Sequence, residues 1–278
     1  SAKSVLLTES IFIRLNLIRR IIMLFNDGGA YETSMGTWSR LVGNVFIEWL
    51  QVARDLKWLD VGCGNGAFSS LISNSCFPSH VVAIDPSSEQ IEFARSRSDA
   101  TDVHFRVGDA MSIEEDDETF DLAVMALVIF FVPDPPKGVS EMARVVKKGG
   151  LVTSYTWDTV NKGSPSSLIT GHLVDMGFKP DSPPNPQVSE MLALNQLWAD
   201  AGIMDLKSDV ITVERRFKDI DEYWDISSLF PNVQKIVPNL TPDQVSDLKT
   251  RIEADLKVGA DGLLYQTARA NVIMGAVT

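Results

Sequence analysis

The chain has 278 residues, which is enough for one large α/β domain or two small domains. Its 37 acidic residues outnumber its 25 basic residues, and the resulting net charge of −12 disfavours nucleic acid as a partner. Two cysteines, Cys63 and Cys76, are too few for a disulfide framework, so we expect a reducing, cytoplasmic setting.

Residues 1–30 form an extension that we separate from the domain expected over residues 31–278. Apolar residues keep helical spacing from Ile11 to Phe25, but arginines interrupt them before the ~20 residues needed to span a bilayer. We therefore expect no stable membrane insertion. Three interpretations stay open: a helix packed on the domain, a helix on a membrane surface, or sequence outside the natural protein, with Met23 as a natural start.

Helices and strands alternate from Trp38 onwards. The predicted elements, in chain order, are helix 38–53, strand KWLDVG, helix 67–73, strand 81–85, helix 87–97, strand VHFRVGD, strand FDLAVMALV, helix KGVSEMARVV and strand LVTSYTW. We expect the last helix to stop at the segment KKGG, because basic residues followed by glycine favour a helix end. Apolar strands alternating with helices predict a doubly wound, mostly parallel sheet covered on both faces.

The second half of the chain has a different pattern. Prolines interrupt residues 158–201, where helical pieces are expected near 166–176 and 187–200. We interpret this stretch as a helical insertion over the carboxyl edge of the sheet, where open α/β sheets bind ligands. A sixth strand, DLKSDVITVERRF, a capped helix and an antiparallel last strand, ARANVIMGAV, complete a predicted seven-stranded, Rossmann-like sheet.

A glycine-rich loop, DVGCGNG, follows the first predicted strand. Its glycines allow a sharp turn and a close approach of the backbone to a ligand, and the next helix offers free N–H groups. The spacing also fits the dinucleotide pattern G-x-G-x-x-A, and Asp85 stands about 20 residues on, where a carboxylate grips ribose hydroxyls. Its alternative role is to cap the next helix. The loop by itself therefore predicts only a ligand that contains adenosine.

Three carboxylates narrow the choice of ligand. Asp60 precedes the loop, where it would repel a pyrophosphate but hold a cationic amino-acid group. Asp109 ends the third strand, where it can accept a hydrogen bond from the adenine amine. The strand that begins at Phe120 runs into FFVPDP without the Tyr or Lys of a dehydrogenase. Three carboxylates suit an ammonium, a sulfonium and two ribose hydroxyls, and they suit a diphosphate badly.

The segments LDVGCGNG, VVAIDPS, HFRVGDA, FDLAVMALVIFFVPDP and EMARVVKKGG resemble the class I S-adenosylmethionine-dependent methyltransferases in order and spacing. They are most similar to the group related to ubiquinone/menaquinone C-methyltransferases. The resemblance runs from about Tyr31 to Trp157 and, weakly, through the last strand. It implies S-adenosylmethionine as cofactor and S-adenosylhomocysteine as product. A basic residue often precedes Trp38 in this group, but here that position is Thr37.

The resemblance also assigns roles to residues. It places the methionine part of the cofactor beside Asp60, Gly62, Gly64 and Gly66. It assigns the ribose hydroxyls to Asp85, with Pro86 beside it, the adenine amine to Asp109, and the adenine face to the backbone of Ala110. The backbone of Met125, at the end of the fourth strand, would lie near the amino group of the cofactor, and Tyr31 would close over the cofactor.

Methyl transfer from a sulfonium needs mainly alignment of the reactants, and the sequence shows no metal-binding cluster. Where a base is needed, Tyr31, Asp158 and His172 are the candidates. We expect a small, largely apolar or aromatic acceptor, in a pocket built from an N-terminal helix and the aromatic residues Phe130, Phe131, Trp157, Phe178 and Trp198.

Two other classes stay open. An NAD(P)-dependent oxidoreductase would use the same loop, and a cofactor-binding protein would hold the ligand without turnover. The sequence fits a monomer or a homodimer, and it leaves the methylated atom open between C, O, N and S.

Overall fold

The computed structural model describes residues 32–278, so the predictions made for residues 1–30 and for Tyr31 lie outside the described residues. The described chain forms one mixed sheet. Its strands are β1 Lys57–Val61, β2 His80–Asp85, β3 Val103–Val107, β4 Phe120–Ala126, β5 Val146–Trp157, β6 Met204–Phe217, β7 Lys257–Val258 and β8 Leu264–Ala276.

Helices precede or follow nearly every strand. Their bounds are α1 Thr37–Leu50, α2 Ala67–Ser75, α3 Ser88–Arg95, α4 Pro135–Val145, α5 Ser167–Asp175, α6 Met191–Asp200, α7 Ile220–Ser227 and α8 Pro242–Asp255. Ser87 caps α3 by accepting a hydrogen bond from the Gln90 amide, and Thr241 and Gln244 form a reciprocal capping box on α8. None of the described helices is long and apolar enough to cross a membrane.

The strand order is β3-β2-β1-β4-β5-β8-β6, and β7 pairs with β8. Strands β1 to β5 pair in parallel, whereas β8 pairs antiparallel with both β5 and β6. The predicted Rossmann-like α/β sheet, mostly parallel with an antiparallel last strand, is confirmed. The difference is an eighth, two-residue strand, β7, which is too short for a sequence pattern to reveal.

Both faces of the sheet are covered, as the apolar strands predicted. Successive residues of β1 pack in separate cores on the two faces of the sheet. Trp58 packs with α1 and α2 on one face, and Leu59 packs with α4 and α6 on the other. Both side chains are completely buried. The double coverage explains why β1 and β4 are buried on both faces and mostly apolar rather than alternating, with Asp60 and Asp121 as exceptions.

The segment Lys147–Gly150, predicted to stop a helix, instead belongs to β5. Helix α4 already ends at Val145 and the strand begins at the next residue. The four residues bulge, because Phe120 pairs with Val146 and Leu122 pairs with Leu151. Backbone hydrogen bonds between this bulge and Val277 hold it at the sheet. Gly149 and Gly150 therefore belong to a β-bulge, whose local sequence resembles that of a helix end.

Residues 158–201, predicted as an insertion over the carboxyl edge, supply two kinds of structure. The part up to Pro183 lines a cavity at that edge. Helix α6 instead covers a face of the sheet, where Trp198 is buried and its Nε1 donates to the Val152 carbonyl at 3.0 Å. Further helical structure, α7 and α8, lies between β6 and β8, and the sequence analysis identified only α8 of these two helices.

Candidate functional site

The glycine loop connects β1 to α2 through backbone conformations that suit glycine. Gly62 has φ +78° and Gly64 has φ +51°. A Cβ added to Gly62 would lie 2.5 Å from Cγ1 of Val128, so close packing alone requires glycine there. A Cβ on Gly64 would have nothing within 4 Å, and this residue lines the cavity. Gly64 is thus the loop position that leaves space for a ligand.

Asp60 lies beneath the loop rather than on the cavity wall. Its carboxylate is completely buried, and Oδ2 accepts a hydrogen bond of 2.6 Å from Ser69 Oγ. Its Oδ1 has no hydrogen-bond partner within residues 32–278. Burial raises the pKa of Asp60 to about 7; the Ser69 hydrogen bond acts in the opposite direction, and the charge of Asp85 adds to the rise. Its assigned contact with the methionine part of the cofactor stays a prediction.

Asp85 connects the loop to the cavity. Its Oδ2 accepts from the Gly64 amide and its Oδ1 from the Ser87 amide, both at 2.9 Å. Burial raises the pKa of the carboxyl, and the two amide hydrogen bonds lower it. Each oxygen keeps a second lone pair, and both Asp85 and Pro86 line the cavity. The carboxylate therefore fixes the loop while remaining able to accept a hydroxyl.

The ends of β3 and β4 form the next parts of the wall. Asp109 and Ala110 line the cavity, and Asp109 Oδ1 accepts from the Met111 amide at 2.8 Å. Met125 is completely buried and does not line the cavity, because its side chain packs in the core and its carbonyl accepts from Ser154 Oγ at 2.8 Å. Leu127, two residues further on, lines the cavity instead.

Leu127 is a site residue that the sequence analysis missed. Its φ is +61°, a backbone conformation that costs a leucine energy and that often occurs at functional sites. A hydrogen bond from its amide to the Tyr155 carbonyl, 2.8 Å long, holds this conformation. Leucine carries no sequence signal for a left-handed backbone, so only the structure reveals this feature.

Except for Asp60 and Met125, the groups described above line one cavity of about 960 Å³. We call β1 to β4 with their loops the cofactor half, and β5, β6 and β8 with α5, α7 and α8 the acceptor half. The acceptor half and the loop after β4 contribute apolar and aromatic wall, together with a group of small polar residues. These wall residues include Phe130, Phe131, Tyr155, Trp157, Ser164, Ser166, Thr170 and Asn232.

The predicted aromatic wall is correct only in part. Phe130, Phe131 and Trp157 line the cavity, but Trp198 is a core residue and Phe178 packs against the core beneath α5. Tyr155 takes a place on the wall that the sequence analysis did not assign. Helical and strand periodicity identify apolar faces, but they do not distinguish a face that meets a core from one that meets a cavity.

The candidate bases do not converge on the cavity. Asp158 is 6% exposed, and its Oδ2 forms an ion pair of 3.2 Å with Arg269 Nη2. His172 lies away from the cavity wall, and its Nε2 is 3.0 Å from Asp255 Oδ2 on α8. Their geometry supports structural roles, and Tyr31 lies outside the described residues. Helix α1 does bring one cation to the wall, Arg40, one turn after Thr37.

Two further observations concern metal binding and the cysteines. Within residues 32–278, no group of three or more His, Cys, Asp or Glu residues is arranged to hold a metal ion. Cys63 and Cys76 are buried free thiols, and Cys63 lies inside the glycine loop.

Solved structures identify the fold class. The YcgJ protein of Bacillus subtilis is similar over 84% of this chain and 97% of its own, with 17% identity and a TM-score of 0.56. A phosphoethanolamine N-methyltransferase from Haemonchus contortus, solved with S-adenosyl-L-methionine, is similar over 84% of this chain and 51% of its own, with 15% identity and a TM-score of 0.51. The fold is that of the Rossmann-like methyltransferases.

Sequence comparisons identify a methyltransferase family over part of the chain. Residues 59–153 match a family described as "Methyltransferase domain". A 2-methyl-6-phytyl-1,4-hydroquinone methyltransferase of rice is 35% identical over 36% of this chain, and a phosphatidylethanolamine N-methyltransferase of Cereibacter sphaeroides is 36% identical over 40%. An uncharacterised 37.1 kDa protein from a Streptomyces fradiae transposon is 27% identical over 72%.

The chain spans 28%, 55% and 57% of these three relatives, in the order given. Much of each relative's own length therefore lies outside the match. Residues 59–153 carry a class I S-adenosylmethionine-dependent methyltransferase domain, which is similar in sequence to quinone methyltransferases.

Proposed function

We propose that the chain transfers a methyl group from S-adenosylmethionine to a small acceptor with a largely apolar body. One observation carries the proposal. A single cavity joins the glycine loop, Asp85 and Asp109 to the aromatic wall of the acceptor half. Its volume of about 960 Å³ is at the upper end for ligand sites, so it offers room for a cofactor and an acceptor together.

The residues present fit the proposed cofactor. Gly64 leaves an open space where a side chain would project, Asp85 keeps lone pairs for the ribose hydroxyls, and Asp109 faces the cavity where an adenine amine is expected. Beneath the loop, the unpartnered Oδ1 of Asp60 adds negative charge whenever this carboxyl is ionised. The sulfonium supplies the reactive methyl group, and the protein aligns the reactants and excludes water.

The acceptor wall favours an aromatic or isoprenoid type of body. Leu127, Phe130, Phe131 and Trp157 line this part of the cavity. The relatives include enzymes named for a hydroquinone and for phosphatidylethanolamine, and the aromatic residues of the wall could stack on the ring of the former. A small molecule rather than a nucleic acid also fits the net charge of −12, and the free cysteines fit a reducing cytoplasm.

The oxidoreductase alternative has less support. Doubly wound dinucleotide-binding sheets have the order 3-2-1-4-5-6 with parallel strands. Here the antiparallel β8 separates β5 from β6, and the matched family is a methyltransferase domain. Binding without turnover is the outcome that would replace our proposal if the cofactor binds but no acceptor is methylated.

Titration calorimetry with S-adenosylhomocysteine tests the cofactor site. We expect micromolar binding by the wild-type chain and at least tenfold weaker binding by Asp85→Ala, because charged hydrogen bonds contribute about 1.5–3 kcal/mol. Glu92→Ala is the matched control, since this exposed acid lies on the neighbouring helix α3 and does not line the cavity. No binding by the wild-type chain, or binding of NAD(P) instead, would refute the proposal.

A further inference from the structure

A group of neutral polar side chains lies on the acceptor half of the cavity wall. Ser164 and Ser166 precede α5, and Asn232 lies between α7 and α8; all three line the cavity. Ser166 Oγ accepts a hydrogen bond of 3.1 Å from Asn232 Nδ2 and lies 3.1 Å from Ser164 Oγ. We call these three residues the Ser–Asn cluster. Ser166 is 7% exposed, so the cluster has a buried base.

Asn232 has unused hydrogen-bonding capacity. Its amide has two N–H donors and a carbonyl oxygen, and within residues 32–278 the side chain makes only the bond to Ser166. The half-buried amide therefore offers the cavity one donor and one acceptor. Polar groups left unsatisfied on enclosure lose free energy, so an occupant of this part of the cavity is favoured when it can both donate and accept.

The loop that carries the two serines is fixed without a ligand. Arg269 donates from its amide to the Gly163 carbonyl at 2.8 Å, and its guanidinium pairs with Asp158. Gln266 Nε2 donates to the Pro165 carbonyl at 2.8 Å. Strand β8 thus holds the loop on both sides of Ser164, and such preorganisation lowers the entropic cost of binding.

The cluster is separate from the cofactor residues. Asp85 ends β2, whereas the serines follow β5, and β1 and β4 lie between these two strands. Adjacent strands are about 4.8 Å apart, so β2 and β5 are separated by about 14 Å. The cluster therefore addresses a group on the acceptor side of the cavity.

We propose that the Ser–Asn cluster binds a neutral hydroxyl or carbonyl oxygen of the methyl acceptor, with Asn232 as the residue that determines this specificity. The inference rests on the proposed methyl transfer and narrows its substrate class to an apolar or aromatic body that bears a neutral oxygen. No member of the cluster is charged, so a phosphate or ammonium group placed there would lose water without a counter-charge.

Two charged residues of the cavity wall support this assignment. Asp181, on the rim of the cavity, is already paired with Lys235 at 2.8 Å. Arg40 is the cation on this wall for which the described residues provide no ion pair, and it belongs to α1 rather than to the cluster. An anionic acceptor would therefore depend on Arg40, whereas a neutral oxygen would depend on Asn232.

Equilibrium dialysis of the chain saturated with S-adenosylhomocysteine separates these cases. Three probes share one ring system: 2-naphthol, 2-methylnaphthalene and 2-naphthyl phosphate. We expect the wild type to bind 2-naphthol about 3–10-fold more tightly than 2-methylnaphthalene, as a neutral hydrogen bond implies. Asn232→Leu should reduce this ratio to within twofold, and Ser166→Ala should lower it in part because the amide loses its anchor.

Lys235→Ala is the matched control, because it changes the same segment but leaves the cluster intact; it should keep the wild-type ratio. Unchanged affinity of every variant for S-adenosylhomocysteine confirms that the cofactor half is folded. Equal affinity of the wild type for the two neutral probes, or a ratio that survives Asn232→Leu, would overturn the inference. Tightest binding of the phosphate, lost in Arg40→Ala, would overturn it in favour of an anion site. Failure of S-adenosylhomocysteine to bind would instead refute the proposed function itself.

Discussion

The cofactor half and the acceptor half are organised by different kinds of contact. In the cofactor half, short strands of five to seven residues end in backbone turns, and Asp85 reaches its partners two and 21 residues away. In the acceptor half, β5, β6 and β8 have 12 to 14 residues, and side chains join segments more than 100 residues apart. One site thus depends on local backbone geometry, and the other depends on long-range side-chain pairs.

The largest expected effect tests the buried acid of the cofactor half. The pKa of Asp60 rises from 3.8 to about 7 on folding, so the native state binds the proton more tightly. The contribution of this carboxyl to the free energy of unfolding is fully present below about pH 4 and is lost as the pH rises through 7. Asp60→Asn should therefore gain stability relative to wild type over that range, by as much as about 4 kcal/mol at pH 8.

Urea unfolding between pH 4 and pH 8 measures this difference. Ser69→Ala is the companion variant: it removes the hydrogen bond that lowers the pKa of Asp60, so its loss of stability should extend to higher pH. Parallel pH profiles for the wild type and Asp60→Asn would show that the carboxyl is not held protonated by its burial.

The second prediction compares two glycines of one loop. Gly62→Ala should destabilise the fold by about 3 kcal/mol, because about 1–2 kcal/mol comes from the left-handed backbone and about 1–3 kcal/mol from overlap with Val128. Gly64→Ala meets no atom within 4 Å and should cost only about 1–2 kcal/mol, while weakening cofactor binding. Chemical denaturation and calorimetry measure the two effects.

A double variant separates strain from overlap. Adding Val128→Ala to Gly62→Ala should recover the overlap part of the loss and leave the backbone part. Equal destabilisation by the two single glycine variants would show that the loop is not divided into a packed glycine and a ligand-facing one.

The smallest expected effect concerns the acceptor half. His172 pairs with Asp255, whose side chain is 58% exposed, and His172 does not line the cavity. His172→Gln should change the free energy of unfolding by less than about 1 kcal/mol and leave the pH dependence of methyl transfer unchanged. A tenfold fall in kcat at unchanged stability would restore His172 as a catalytic base.

The same contrast explains how far sequence reasoning reaches. The glycine loop and the strand-end acids Asp85 and Asp109 could be predicted, because a parallel sheet gathers its carboxyl ends at one edge. Asn232 and Tyr155 could not, since their places on the wall depend on where α7, α8 and β8 meet the sheet. The prediction that Trp198 lines the acceptor pocket was wrong for the same reason, because an aromatic residue on an amphipathic helix can pack in a core as well as line a cavity.

The position of β8 has a consequence for how the molecule folds. This strand lies between β5 and β6, and its register joins Leu151 to Ala276. Contacts of such long sequence separation form slowly, whereas β1 to β4 have closer partners along the chain. During synthesis the cofactor half can therefore assemble first, and the acceptor half remains open until β8 enters the sheet. In this order of folding, the cofactor site forms before the acceptor site.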